Sequence, residues 1–338
     1  MNHVPPKISI LLPVFNAAPF LEACLESIRL QSRVDWELLA VDDFSEDESP
    51  EILRRFAKMD QRIAVFRNEQ KGIAPALRLA FEHSRGSLIT RMDADDLMLP
   101  AKLETLSGLL EATGPGHVAT GGVSYFAEGE KLGAGYRQYA EWLNTLAANG
   151  LHFREIYREC VIPSPCWMAH REDLVRIGAF TEDTYPEDYD LCFRMYHGGL
   201  KVVSVPEPLH QWRDHPRRTS RNSEVYRDNR FLDLKIHWFL KTDHQPHRPL
   251  VVWGAGRKGK EIARRLHAAN LPFRWLCNTP SKWGHRMYGV TFEPITVIDD
   301  LADPQILIAV ASPDDQREIL VSLRKMDLQE GKEFFRFA

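Results

Sequence analysis

Within Gly86-Ser87-Leu88-Ile89-Thr90-Arg91-Met92-Asp93-Ala94-Asp95-Asp96, an apolar, β-prone run ends in three carboxylates. Carboxylates packed this closely repel and raise one another's pKa. A divalent cation removes that cost, and hard oxygen donors suit Mg2+ or Mn2+. Mg2+ is characteristically held by one or two carboxylates plus substrate phosphates. The cluster therefore reads as a site for a metal and a diphosphate. The plainer alternative is a solvated acidic loop capping the next helix, with Asp96 before Leu97. A second acidic cluster, Asp42-Asp43, ends the run Trp36 to Val41. A third group, Glu187-Asp188 with Asp190, opens a segment carried on by Leu191, Phe193 and Met195. Such carboxylates serve either a helix dipole or, as a positioned general base, a reaction. Arg213 and His215 are expected in a loop that can reach a phosphate or a metal.

These residues need elements to hold them. Strands are expected from Lys7 to Leu12, Trp36 to Val41, Ile63 to Phe66, and in the run before Asp93. Helical spacing follows each: Leu21, Leu25 and Ile28; then Ile52, Leu53 and Phe56; then Ala74 to about Ser84; then the stretch after Pro100. Strand–helix alternation of this kind predicts a mostly parallel, doubly wound α/β sheet. Its C-terminal strand ends share one edge, so the acidic clusters should face one crevice. Further on, Val118 to Phe126 reads as a strand, with Gly121-Gly122 marking a bulge or a close ligand approach. Tyr136, Tyr139 and Trp142 suggest a loop and then a helix, and Pro163 to Met168 is rigid and aromatic. Lys201 to Val205 reads as a strand, and Val225 to about Lys241 as a helix.

The chain has 338 residues, net charge −4 and 44% hydrophobic residues, which predicts more than one domain and no nucleic-acid partner. Arg213, Arg217, Arg218 and Arg221 form a local basic cluster, read as solvated charge or as a contact to anionic lipid or pyrophosphate. The five cysteines are scattered and show no C-x-x-C, which points to a reduced, cytoplasmic protein without structural zinc. No apolar run reaches the roughly 18 residues of a membrane helix, while peripheral contact at the inner face of a membrane stays open.

The polar, proline-bearing stretch 244–249 is the best domain boundary. Beyond it, Leu250 to Trp253 runs into Gly254-Ala255-Gly256-Arg257-Lys258-Gly259 and then a helix, the strand–GxGxxG–helix context of a dinucleotide loop. The acid expected at the end of the next strand is absent: Asn278 follows Cys277. Gly254, Gly256 and Gly259 are thus a candidate nucleotide loop, or glycines kept for tight turns and packing. The expected division is residues 1–225, a helical linker over 226–248, and an α/β unit over 249–338.

Taken together, ISILLPVFN, VDDFSEDES, GSLITRMDADD, PEDYDLCFR and HQWRDH, in this order, resemble the family 2 glycosyltransferases, inverting enzymes of the GT-A fold. The C-terminal unit is similar to small Rossmann-like domains of sugar-modifying enzymes. The first resemblance implies that Pro13 and Phe15 line the nucleotide base and ribose and that Asp43 accepts a hydrogen bond from uracil. It further implies that Asp93 contacts ribose or diphosphate and that Asp95 binds Mn2+ or Mg2+. Asp188 would then be the catalytic base, with Arg213 and His215 approaching the diphosphate or the metal. The implied partners are a nucleotide-sugar donor and a glycan or lipid-linked acceptor, in surface polysaccharide synthesis. Departures from the family pattern are Phe44 in place of glycine, Phe15 in place of tyrosine, and Arg78 or a neighbour in place of asparagine. The competing readings are a non-catalytic sensor of a nucleotide sugar or dinucleotide, built on the C-terminal unit, and a nucleotidyltransferase.

Overall fold

The structure is a computed structural model, and it describes residues 6–127, 133–218 and 231–338. Arg221, the 225/226 boundary and the first residues of the helix expected from Val225 lie outside the described residues. Contacts divide the chain into two compact units. One holds residues 1–152 and 161–221, the other residues 153–160 and 222–338. The short segment 153–160 therefore packs with the second unit, although a linear division puts it in the first.

The first unit is built on an eight-stranded sheet in the order β3-β2-β1-β4-β7-β6-β8-β5. The strands are β1 (Ile8–Val14), β2 (Trp36–Asp42), β3 (Ile63–Arg67), β4 (Leu88–Arg91), β5 (Leu97–Met98), β6 (His117–Ala127), β7 (Trp167–His170) and β8 (Lys201–Asp214). Strands β3, β2, β1 and β4 run parallel, as do β6 and β8. Strand β7 is antiparallel to both β4 and β6, and β5 is antiparallel to β8. This is the mostly parallel α/β sheet that the strand–helix alternation predicts. Strands β1, β2 and β4 are buried along nearly their whole length, which is why they read as unbroken apolar runs rather than as alternating ones.

Helices α1 (Ala18–Arg29), α2 (Ser49–Met59) and α3 (Ile73–His83) provide the crossovers. In α1 the buried positions Leu21, Cys24, Leu25 and Ile28 form one stripe, and Pro19 sits in the first turn, where its missing N–H costs nothing. Helices α4 (Lys102–Thr113), α5 (Ala134–Asn149), α6 (Arg171–Arg176) and α7 (Glu187–His197) follow. Helix α7 carries Glu187, Asp188 and Asp190 in its first turn and Arg194 and His197 in its last, which suits both ends of its dipole.

Several expectations are corrected. Pro13 lies within β1, opposite Val41, and not after the strand. Strand β8 runs on to Asp214, so Arg213 is a strand residue and only His215 lies beyond. The Gly121-Gly122 step is a bulge in the β6–β8 pairing. What approaches closely there is protein: a Cβ on Gly122 would meet the Pro206 carbonyl at 2.5 Å. Trp167 is 3% exposed and fills core.

The second unit has a sheet in the order β11-β12-β10-β9-β13-β14. These are β9 (Leu250–Trp253), β10 (Arg274–Leu276), β11 (Arg286–Met287), β12 (Val290–Glu293), β13 (Gln305–Ile308) and β14 (Phe334–Arg336). All neighbours are parallel except β11 and β12. Numbered from β9, the parallel strands lie 3-2-1-4-5, the order of doubly wound sheets. Helices α8 (Phe231–Thr242), α9 (Arg257–Ala268) and α10 (Pro313–Lys325) belong to this unit. Among the described residues no helix is long and apolar enough to cross a membrane. All five cysteines are buried free thiols.

Candidate active site

Strands β2 and β4 flank β1, so Asp42-Asp43 and Asp93 to Asp96 emerge at one sheet edge. Asp43 is buried and accepts hydrogen bonds from Gly72 N–H at 2.9 Å and from Asn68 Nδ2 at 2.7 Å. A carboxylate so placed is acceptor-only, and its spare lone pairs suit an N–H of a base. Phe15 follows Val14, whose carbonyl accepts from the Asp43 N–H at 2.8 Å; it is 49% exposed, with Lys71 Nζ 4.7 Å from its ring centroid. Phe44 has φ +62°, the left-handed region that a glycine enters freely. The departure from glycine thus keeps the unusual backbone and adds a ring, over which Arg67 lies at 5.9 Å.

The three carboxylates of Asp93 to Asp96 have different surroundings. Asp95 Oδ2 is 2.9 Å from His215 Nε2. Burial raises the Asp95 pKa, but the His215 hydrogen bond and the nearby Arg218 outweigh it and hold the carboxyl below its usual range. The His215 ring tilts against Phe20 with centroids 4.3 Å apart, and its buried Nδ1 has no hydrogen-bond partner among the described residues. Asp96 is 2% exposed, accepts from Arg213 N–H at 2.9 Å, and stands 3.0 Å from His210 Nε2. Lys102, in the buried face of α4, donates to the Pro165 carbonyl and stands 3.4 Å from His210 Nδ1. That leaves Nδ1 to accept and Nε2–H to donate to Asp96. Burial, then Asp95, push the Asp96 carboxyl well up, and burial, then Lys102, push His210 well down.

Arg213 is also buried: its Nε donates to the Asp95 carbonyl at 2.9 Å and its guanidinium lies 4.6 Å from the Phe126 ring centroid. Arg218 lies over Tyr125 at 5.0 Å and Trp212 at 5.7 Å. The basic cluster is therefore not one solvated patch: Arg213 and Arg218 turn inward and Arg217 is exposed.

Asp93 and the Glu187-Asp188 pair, far apart in sequence, are joined by Arg91. The guanidinium of Arg91 is 2.9 Å from Asp93 Oδ1 and 2.8 Å from Glu187 Oε1. Asp188 is partly exposed, and burial, then Glu187, push its carboxyl up to about 7, against the pull of Arg91. Arg78 donates to the Phe180 carbonyl at 2.8 Å and to Asp183 at 2.6 Å, pinning the loop before α7.

The residues at this edge fit a divalent cation in part. Asp95 and His215 converge from two segments, and the unpartnered nitrogen is Nδ1 of that same His215 ring, whose Nε2 faces Asp95. No group of three or more His, Cys, Asp or Glu side chains is arranged to hold a metal among the described residues. One carboxylate with water and substrate oxygens is an arrangement that Mg2+ accepts, and the His215 nitrogen is a softer donor than those Mg2+ usually takes.

The residues expected here from the sequence are Pro13, Phe15, Asp43, Asp93, Asp95, Asp188, Arg213 and His215; Arg91, Lys102 and His210 are not among them, and Arg78 is noted there only in place of an asparagine. A cation inside an apolar strand (Arg91) and another on a helix's buried stripe (Lys102) were the available signals. In the second unit, Gly256 faces open space, whereas a Cβ on Gly259 would meet the Gly254 carbonyl at 1.9 Å. Gly259 is thus a packing residue. Asn278 Oδ1 accepts from the Trp253 indole N–H at 2.8 Å.

A family model, Glycosyl transferase family 2, matches residues 9–178. The chain is 27% identical over 219 residues to EpsH of Bacillus subtilis (strain 168), covering 62% of this chain and 61% of that protein. It is 35% identical over 100 residues to Glycosyltransferase GlyA of Streptococcus pneumoniae serotype 4 (strain ATCC BAA-334 / TIGR4), covering 30% of this chain and 14% of that one. The chain thus spans less than two thirds of the length of these relatives. Among solved structures, S. aureus TarS 1-349 in complex with UDP-GlcNAc matches with TM-score 0.57 at 16% identity, covering 71% of this chain and 68% of that one. The mannosyltransferase PcManGT from Pyrobaculum calidifontis, in complex with GDP-Man and Mn2+, matches with TM-score 0.50 at 21% identity, covering 71% and 64%. At these identities the structural likeness carries the fold.

Proposed function

The chain belongs to glycosyl transferase family 2, and from that premise we propose that it moves a sugar from a nucleotide-sugar donor to an acceptor hydroxyl. The donor is a UDP-sugar, and the acceptor is a glycan or a lipid-linked saccharide in surface polysaccharide synthesis. The observation that carries the reading is convergence on one acidic strand end. His215 reaches it from beyond β8, and the start of α7 reaches it through Arg91.

In this reading Asp188 takes the acceptor proton as the acceptor oxygen bonds to the anomeric carbon. The bond from that carbon to the diphosphate oxygen breaks, and the nucleoside diphosphate leaves with its electron pair. One carboxylate on the face opposite the leaving group gives single displacement and inversion. Asp43 accepts an N–H of the base, while Pro13 and the exposed Phe15 ring line the base and ribose. Asp93 faces ribose or diphosphate, and Arg213 holds the Asp95 backbone beside it. Asp95 and His215 would hold Mn2+ or Mg2+, which when bound supplies positive charge for the departing diphosphate. A sensor built on Gly254, Gly256 and Gly259 would need no base, so the raised carboxyl of Asp188 at the crevice supports the transferase instead.

The test is a melt of the full chain with UDP plus Mn2+, against GDP plus Mn2+, UDP plus chelator, and NAD. A ligand at 100 times its Kd adds about 2.7 kcal/mol. Stabilisation by UDP only with metal, lost in Asp95→Ala, is expected. Stabilisation by NAD alone would move the function to the second unit.

A further inference from the structure

We propose that Arg91 is a positioning residue for the transfer: its guanidinium, held between Asp93 and Glu187, fixes the base Asp188 relative to the donor diphosphate. The proposal rests on the reading of Asp188 as the base. Arg91 is the last residue of β4 and is 4% exposed. A guanidinium in that place, inside an apolar strand, is costly unless it is paired. Its Nε donates to Asp93 at 2.9 Å and its Nη1 to Glu187 at 2.8 Å, across 96 positions of sequence. A planar fork with donors on separate nitrogens can hold two carboxylates at once, while a lysine ammonium is a single point charge. Each partner also stands next to chemistry. Asp93 is two residues before Asp95, and Glu187 adjoins Asp188.

The charged groups facing Asp188 are Glu187 from its own helix, and Arg91 and Asp93 from the end of β4. Glu187 and Asp93 oppose ionisation of Asp188, and Arg91 favours it. The bridge therefore governs both where the base stands and how readily it holds its charge. An ion pair serving stability alone would need one carboxylate and would not have to join these two segments.

The experiment compares Arg91→Lys, Glu187→Gln and Asp188→Asn in the full chain. Turnover of UDP-GlcNAc with Mn2+ gives kcat and KM. Carbon-13 carboxyl NMR titration needs no substrate, and the signal lost in Asp188→Asn identifies that carboxyl. Melting with UDP plus Mn2+ reports the donor site. In Arg91→Lys the charge stays but the fork is lost, and kcat is expected to fall roughly 10- to 100-fold with KM within about twofold. The melting response to UDP should persist. In Glu187→Gln the Asp188 titration should move to lower pH, because a like charge is gone. An Arg91→Lys variant with normal kcat, or one losing donor binding in step with kcat, would overturn the proposal. So would an Asp188 titration that ignores Glu187→Gln, which decides the matter even where UDP-GlcNAc is not turned over. Undiminished turnover in Asp188→Asn would remove the base reading itself. An inactive Asp188→Asn beside an unaffected Arg91→Lys would remove only the role of Arg91.

Discussion

At the scale of residues, the site is a set of carboxylates kept apart in charge by their surroundings. Asp95 is held below its usual range and Asp188 is pushed up to about 7. The proposed base works ionised, so on that proposal transfer should rise tenfold per pH unit up to about 7 and level off above it. Asp188→Asn should abolish that transfer while leaving UDP binding intact. The same raised carboxyl costs stability, and the sign is definite. Its folded pKa lies above the unfolded value of 3.8, so between about 4 and 7 the folded state binds more protons than the unfolded one. Stability therefore falls as pH rises through that window. Asp188→Asn should melt higher than wild type at pH 8, and the gain should vanish toward pH 4. Equal melting at both ends of the range would refute the raised pKa. Asp188 was legible in the sequence because acids before a helix stand out. Arg91 was not, since nothing local says which carboxylates a strand cation will meet 96 positions away.

At the scale of elements, long apolar runs with a period were easy to read, and short antiparallel strands were not. Strands β1, β2 and β4 follow the pattern because they are buried along nearly their whole length and bounded by polar turns, and β3 follows it as a shorter, partly exposed edge strand. Strand β5 has two residues, and β7, of four, lies antiparallel between β4 and β6; both pair with strands distant in sequence, so neither shows in the local pattern. The length of β8 was hidden by Pro206 and Pro208, which read as a stop. In the structure the bulge at Gly121-Gly122 absorbs them and lets β8 continue to Asp214, next to His215. This makes Gly122 a lever on the site. Its missing side chain admits the Pro206 carbonyl at 2.5 Å and the Glu207 carbonyl at 2.9 Å from where a Cβ would sit. Backbone at that distance cannot rotate away. Gly122→Ala should cost about 1–3 kcal/mol and weaken the melting response to UDP with Mn2+. An unchanged melt and an unchanged response would mean that the register of β8 does not depend on this contact.

At the scale of the whole molecule, the sequence suggested cuts at positions along a line, whereas the chain is divided by packing. Residues 153–160 carry apolar side chains at helical spacing (Phe153, Ile156, Tyr157, Cys160), but nothing local says which unit that stripe packs against. Their partners lie far ahead in sequence. Tyr157 is 2% exposed, stacks on Phe337 with centroids 5.1 Å apart, and meets Phe239 and Phe335 edge-on. Its hydroxyl donates to Asp243 at 2.5 Å. Lys235 donates to the Arg158 carbonyl at 2.8 Å, and Glu155 pairs with Arg336 at 2.7 Å. Large buried aromatics of this kind are each worth about 3–5 kcal/mol on truncation to alanine. A chain ended at residue 221 keeps the whole matched family region yet strips this segment of every partner just named. Such a chain should melt well below the full protein and expose Tyr157 to solvent. Phe337→Ala in the full chain should reproduce part of the loss while leaving residues 1–152 unaltered in sequence. A truncated chain that melts like the intact one would show that the segment gains nothing from the second unit. If the loss is seen, the second unit contributes to the stability of segment 153–160, independently of the Gly254–Gly259 loop.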